Sequence, residues 1–387
     1  MSRWQDCIAR LAATSDVLAP IAEGGDPDMA ARAERMAFMA LASGWFTAFA
    51  DRDLPDFVPA VNTHCPLVGT NPDFIYGAAS IDGAGQYLLT GERGGGLFLL
   101  MDIAAGGLGV LEPLGPSLGT IDFDTLALDE NGCFSLLLSA ERPEHWAGDW
   151  HRLDASALSL SLRQASYDWG AHREARIAIE RIDIPHAPRR WNEVEIARRL
   201  DALAAYPGRL AGMALGFIAG QRRKALWNRF EHDDWAGRGG VEGQHYYQGL
   251  FRLEPGKVLL LETELPEQVL YWNVQLNDML WTTVDWMNRQ SSLNGGQAAI
   301  DADGRFRAVI ALDDPGISNW LDPGGNAEGA IMLRWTGASS GPEPRLTLLD
   351  RESLAECLPL GTLRVDAQTR EAQLRARRRA AQMRRRW

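Results

Sequence analysis

Between Tyr271 and Gly295 the chain reads YWNVQLNDMLWTTVDWMNRQSSLNG. Asp278, Asp285 and Arg289 lie close enough in this stretch to meet at one end of a sheet. An Arg beside a carboxylate in a dry setting can fix an oxyanion or orient a general base. Just upstream, the Gly-rich segment from Glu231 to Tyr247 carries His245 and Tyr247, and loops in such positions commonly carry function. The chemistry expected of this set is a lyase- or isomerase-type acid–base step. Asp285 or His245 would be the base, Arg289 the anion stabiliser, and Tyr247 or Asn277 the orienting donor. Asn273, Gln275, Asn277, Trp281 and Asn288 are the expected substrate-binding side chains.

The element that must position them is a strand of unusual make-up. Trp272, Val274 and Leu276 fall on one face, and Asn273, Gln275 and Asn277 on the other. A solvated sheet face would be served better by Lys, Glu or Thr. Amides donate and accept together, which suits a semi-enclosed polar network or a pocket wall. The row therefore either lines a pocket or pins two parts of the molecule together.

Other chemistries find little support. Gly115-Pro116-Ser117-Leu118-Gly119 matches G-x-S-x-G, but a nucleophile elbow needs a helix next, and Thr120-Ile121-Asp122-Phe123 reads as a strand. There is no phosphate-cradling glycine motif. The seven His form no metal spacing, so neither metal nor cofactor is expected. Four scattered Cys, Cys7, Cys65, Cys133 and Cys357, argue for reduced thiols rather than a disulfide frame.

The 387 residues are 46% hydrophobic and 23% charged, with fourteen Trp, as in an ordinary globular protein with ring-lined cores or pockets. Net charge is −12, unevenly spread. Residues 364–387 hold nine Arg against Asp366 and Glu371, a net +7, which leaves −19 on the rest. An acidic body suits neither nucleic acid nor anionic membrane, and the basic tail is expected to lie against that body or a neighbouring subunit. The N-terminus lacks a signal-peptide pattern, and the longest apolar run, Leu210 to Gly220, is too short to span a bilayer. A cytoplasmic location is the resulting expectation.

Texture along the chain predicts a mainly β protein with helical additions. The parts are a helical N-terminal cap (1–58), a first β-sandwich (59–188), a helical insert punctuated by Pro207-Gly208 (189–232), a second sandwich (233–350) and an Arg-rich helical arm (351–387). The two β regions resemble each other. Asp129-Glu130-Asn131-Gly132 matches Asp301-Ala302-Asp303-Gly304, Phe134 matches Phe306, and Trp150 matches Trp320. Tyr76 precedes Gly132 by 56 residues and Tyr247 precedes Gly304 by 57, which reads as a duplicated sandwich. The Asp/Asn-Gly pieces are hairpin turns, with Gly supplying the positive φ.

Several of these pieces also resemble a known family. Tyr271 to Asp278, Asn288 to Ser292, Asp303-Gly304, Asn319 to Pro323 and Met332 to Trp335 are similar to the bacterial domain-of-unknown-function family twelve-fourteen. Asn71 to Tyr76 resembles the partner domain often found ahead of it. Asn277 stands where that family usually has Tyr, and Asp322 intervenes before the Pro. The resemblance implies tandem jelly-roll-like sandwiches and no particular activity. Two functions stay open. One is binding, with possible transformation, of a small apolar or aromatic molecule. The other is a non-catalytic assembly module that forms a homo-oligomer through its C-terminal arm.

Overall fold

The computed structural model describes residues 2–110, 115–187, 191–235, 240–241 and 243–384. Residues 236–239 and 242 of the Gly-rich segment, and Arg385 and Arg386 of the arm, lie outside them. Helices α1 (Arg3–Leu11), α2 (Thr14–Ala22) and α3 (Pro27–Ala48) form the N-terminal cap. Their starts are encoded locally. Ser2 and Gln5 make a reciprocal capping box on α1, and the Asp26 carboxylate caps α3 just ahead of Pro27.

The first sandwich comprises β1 (Phe74–Ser80), β2 (Tyr87–Glu92), β3 (Phe98–Ala104), β4 (Ser117–Asp122), β5 (Cys133–Ser139), β6 (Asp149–Arg152), β7 (Ser159–Ala165) and β8 (Arg176–Arg181). Helix α4 (Glu193–Arg223) follows. The second comprises β9 (Glu231–Asp233), β10 (Gln244–Arg252), β11 (Lys257–Thr263), β12 (Val269–Asn277), β13 (Ser292–Asn294), β14 (Phe306–Ile310), β15 (Trp320–Leu321), β16 (Glu328–Ala338) and β17 (Arg345–Asp350). Helices α5 (Leu354–Cys357) and α6 (Ala367–Met383) close the chain.

The sheets show one plan used twice. The inner sheet of the first sandwich runs β1-β7-β3-β4 and its outer sheet β6-β5-β2-β8. In the second, the inner sheet runs β10-β16-β12-β13, with β9 added at the edge, and the outer sheet β15-β14-β11-β17. Each sandwich thus has the eight-strand, double-sheet make-up of a jelly roll, with one parallel pair, β5–β6 or β14–β15. The sequence matches fall on equivalent places. Gly132 and Gly304 take φ of 76° and 79° in the turns before β5 and β14. Trp150 pairs with Leu137 and sends its Nε1–H to Ser139, two residues on. Trp320 pairs with Val309 and sends its own to Ala311, again two residues on. One match shifts by a residue. Tyr76 lies opposite Arg163, and it is Tyr246, not Tyr247, that lies opposite an Arg, Arg334. Tyr247 points the other way, into the core between β10 and the outer sheet.

Alternation separates the faces as read from sequence. Trp272, Val274 and Leu276 join Phe251, Leu333 and Trp335 in the core of the second sandwich, while Asn273, Gln275 and Asn277 face out of it. That outward face is still fully buried, because the helices and the first sandwich cover it.

Helix α4 runs unbroken through Pro207 and Gly208. A proline inside a helix forfeits one backbone bond, and packing outweighs the loss here. Tyr206, Leu210, Ala214 and Ile218 join Met36 and Ala40 of α3 and Leu250 of β10 in one cluster. Residues 210–220 are part of this longer helix, which has the length and composition to cross a membrane. In this structure 44% of its apolar window is buried inside the protein.

Helix α6 folds onto its own chain. Arg370 and Arg377 lie two helical turns apart and so share a face, and Arg384 follows in extended backbone at the helix's end. Arg370 donates to Asp314, Gln290 and the Ile317 carbonyl. Arg377 donates to Ser292 and the Trp286 carbonyl and lies over the Trp169 ring. Arg384 reaches the Pro72 and Asp73 carbonyls and Glu174. The three thus strap the second sandwich to the first. Arg375, Arg378 and Arg379 remain exposed.

Candidate functional site

The inner sheets of the two sandwiches turn their outward faces to each other. At one end this junction is sealed. The Tyr271 ring lies 5.3 Å from that of Phe74 and 5.9 Å from that of Phe98. The buried Asp73 carboxylate accepts from Tyr271 Oη at 2.7 Å, Trp169 Nε1 at 2.8 Å and Asn294 Nδ2 at 2.6 Å. Burial raises the Asp73 pKa, and these donors oppose the rise only in part.

Beside the seal, the same junction opens into a cavity of about 230 Å³, far more than one water needs. Each sandwich contributes a matched Tyr–Arg pair to its wall, Tyr76 with Arg163 and Tyr246 with Arg334. Each Tyr Oη accepts a backbone N–H from five residues earlier, Asn71 in one case and Val241 in the other, both at 3.0 Å. Burial pushes the Tyr76 hydroxyl above its ordinary pKa. On the first sandwich, Asp102 accepts from Ser117 and Thr120 at 2.9 and 3.0 Å, with Arg163 at 3.9 Å. Ser117 is the serine of the G-x-S-x-G match, and it sits at the first residue of a strand rather than on an elbow.

On the second sandwich, the amide row surrounds Arg334. Asn273 Oδ1 and Gln275 Oε1 accept from its Nη1 at 3.2 and 2.6 Å, and the Gly69 carbonyl accepts from Nη2 at 3.3 Å. The amide nitrogens point on to the loop before β1. Asn273 Nδ2 donates to Asn71, and Gln275 Nε2 donates to the Gly69 carbonyl and to Asn277 Oδ1. The row is therefore a network that ties the sandwiches together and also forms a cavity wall by holding Arg334.

Aromatic rings line the rest of the cavity. Trp281 stacks on Phe217 at 4.0 Å and lies parallel to Trp235 at 5.8 Å. Two buried donors on the wall, Trp281 Nε1 and Gln244 Nε2, have no hydrogen-bond partner among the described residues. Among the described residues, five non-glycines adopt positive φ, and Val68, Trp235 and Trp281 of these line the cavity. Gly69 beside them is required by contact, since a Cβ there would lie 2.6 Å from Trp281 Nε1. Strained backbone and unsatisfied polar atoms concentrate where a protein holds a ligand.

The residues singled out from sequence distribute unequally about this cavity. Trp281 lines it, Asn273 and Gln275 hold its Arg, and Asn277 anchors Gln275 while its own Nδ2 is unpartnered. Asp285 is exposed and accepts from Asn288 Nδ2, and the exposed Arg289 pairs with Asp322 at 2.9 Å. Tyr247 donates from the sandwich core to the Gly341 carbonyl. His245 Nδ1 lies 2.9 Å from His232 Nε2. Asp285 and Arg289 precede β13 and His245 lies on β10, three strand spacings or roughly 14 Å across the sheet. These four do not meet, and none lines the cavity. Asp278 is half-buried, with its Oδ1 bonded to the N–H groups of Leu280 and Thr282. Among the described residues no cluster of His, Cys, Asp and Glu could hold a metal ion. Arg334, Arg163, Asp102 and Tyr246 were not singled out from sequence as site residues. A signal existed, since Tyr and Arg recur 87 residues apart in the first half (Tyr76, Arg163) and 88 apart in the second (Tyr246, Arg334).

No family model matches the chain, and no curated protein matches it. Its fold is similar to that of an uncharacterised protein from Burkholderia cenocepacia. That match has a TM-score of 0.84 and 25% identity, covering 91% of this chain and 98% of that one. The VPA0106 protein from Vibrio parahaemolyticus matches with a TM-score of 0.47 and 12% identity over 81% of this chain and 98% of that one.

Proposed function

We propose that the chain binds a small molecule with an apolar or aromatic body in the cavity between its sandwiches. One observation carries this reading. A roomy cavity holds a buried donor, Trp281 Nε1, with no acceptor among the described residues, beside rings and backbone held at unfavourable φ. An orphaned buried donor costs about 1–3 kcal/mol, and a ligand acceptor removes that cost. Pockets for small molecules are mostly apolar with a few placed polar groups, as here.

Support for turnover is thinner. Among the described residues Asp102 is the carboxylate on the cavity wall, and an acid–base step would fall to it rather than to Asp285 or His245. Four free cysteines support a reducing compartment such as the cytoplasm. The resemblance to the twelve-fourteen family belongs to the same proposal, and it adds fold rather than activity.

A thermal-shift screen with steroids, terpenoids, phenolics and fatty acids tests binding. A ligand at ~100 times its dissociation constant adds about 2.7 kcal/mol to the folded state. Ser161→Trp, which fills the cavity, should abolish the shift, and ligand should quench Trp235 and Trp281 fluorescence. A shift that survives Ser161→Trp would overturn the assignment to this cavity.

A further inference from the structure

The cavity's two halves differ at two matched positions. In the first, Leu100 pairs with Arg163, and Asp102 comes two residues later. In the second, Asn273 pairs with Arg334, and Gln275 comes two residues later. The first half therefore sets a carboxylate beside its Arg, and the second sets an amide.

The consequence is electrostatic. Arg163 has Asp102 at 3.9 Å. Among the described residues Arg334 is bonded only to the neutral oxygens of Asn273, Gln275 and Gly69. Among the described residues no carboxylate lies within 4 Å of its guanidinium. Asp73 connects to it through Tyr271 and Asn71, at the far side of the network. A charge taken out of water this completely calls for a counter-charge. A second donor stands nearby. Gly69, whose carbonyl takes Arg334 Nη2, also abuts the unpartnered Trp281 Nε1. Both groups donate and neither accepts. One uncompensated positive charge fits one negative charge, and the rings around it fit an apolar body.

Resting on the cavity as a binding site, we propose that it takes a small apolar or aromatic monocarboxylate. The carboxylate sits on Arg334 and Trp281 Nε1, and the body lies against Trp235 and Met332. On this view the amides hold Arg334 in place without neutralising it.

The test is isothermal calorimetry with benzoate, phenylacetate, cinnamate and hexanoate, each beside its primary amide. At least one acid should bind wild type tenfold or more tighter than its amide. Asn273→Asp, which supplies the missing carboxylate with the fewest contacts disturbed, should erase that preference while circular dichroism stays unchanged. Asp102→Asn should strengthen acid binding. Amides that bind wild type as well as the acids would overturn the monocarboxylate and leave the cavity as a neutral-ligand site. If neither kind binds, the underlying binding reading falls with it. The acid–amide comparison needs no variant, so a misfolded Asn273→Asp does not spare the proposal.

Discussion

β8, at the edge of the first sandwich's outer sheet, alternates exposed with half-buried residues. β12 and β16, at the centre of the second sandwich's inner sheet, are buried on both faces along most of their length. The strand plan is the same and the surroundings are not. The second sandwich has the first sandwich and the α3–α4 pair over its inner sheet, while α5 and the segment around Leu358 pack on its outer one. A strand with one wet face can carry any polar residue there. A strand enclosed on both faces must satisfy whatever polar groups it keeps. At the junction both central inner strands are enclosed, and β12 carries an amide row there while its counterpart β3 carries Leu100, Asp102 and Ala104. A duplicated fold can thus keep a Tyr–Arg pair where its copies meet and still change the residues around it.

The comparison can be broken most forcefully at the strap. Arg370→Ala leaves Asp314, Gln290 Oε1 and the Ile317 carbonyl without the donor that α6 supplies. It should cost about 3–5 kcal/mol in denaturant unfolding. Arg375→Ala, on the exposed face of α6, should stay within about 0.5 kcal/mol. Equal effects would mean that the helix does not cover the second sandwich in solution.

The equivalent tryptophans give the next contrast. Trp320→Phe strips the Ala311 carbonyl of a buried donor and should cost about 1–3 kcal/mol. Trp150→Phe should cost less than ~1 kcal/mol, because Trp150 is half-buried and Ser139 keeps its bond to the Glu141 carbonyl. Matching losses would contradict the difference in enclosure. Gly132→Ala and Gly304→Ala should each cost about 1 kcal/mol, since both need positive φ in open surroundings. Unequal costs would show that the two turns are not equivalent.

The subtlest effect is one of pH. Asp73 has a raised pKa in the folded state, so the folded chain holds its proton longer than the unfolded one. Its contribution to stability is therefore fully present below the unfolded value of about 3.9. It declines as pH rises from there through the raised folded value. Asp73→Asn should flatten this decline in urea midpoints measured across that range. A wild-type midpoint that rises through the window beyond what Asp73→Asn shows would refute the assignment.

Much of the architecture was legible because it rests on local rules. Alternation placed Trp272 and Asn273 on opposite faces, and turn glycines marked the hairpins at Gly132 and Gly304. The helical punctuation expected at Pro207-Gly208 did not appear, because the contacts that carry α4 through come from α3 and β10. The site was legible only in part. The amide row signalled enclosure, and Trp281 and the amides do stand at the cavity. Asp285, Arg289, His245 and Tyr247 were linked by nearness in sequence, and three strand spacings separate the first two from His245.

The sequence by itself determined the two sandwiches, their shared plan and the faces of each strand, since side-chain period and turn chemistry act within a few residues. Tertiary structure alone decided that the two inner sheets face each other. It brought Tyr76 and Arg163 against Tyr246 and Arg334, and it left Arg334 among neutral oxygens. Burial and charge balance at a junction depend on residues from chain segments more than 200 positions apart, and no local pattern carries that information.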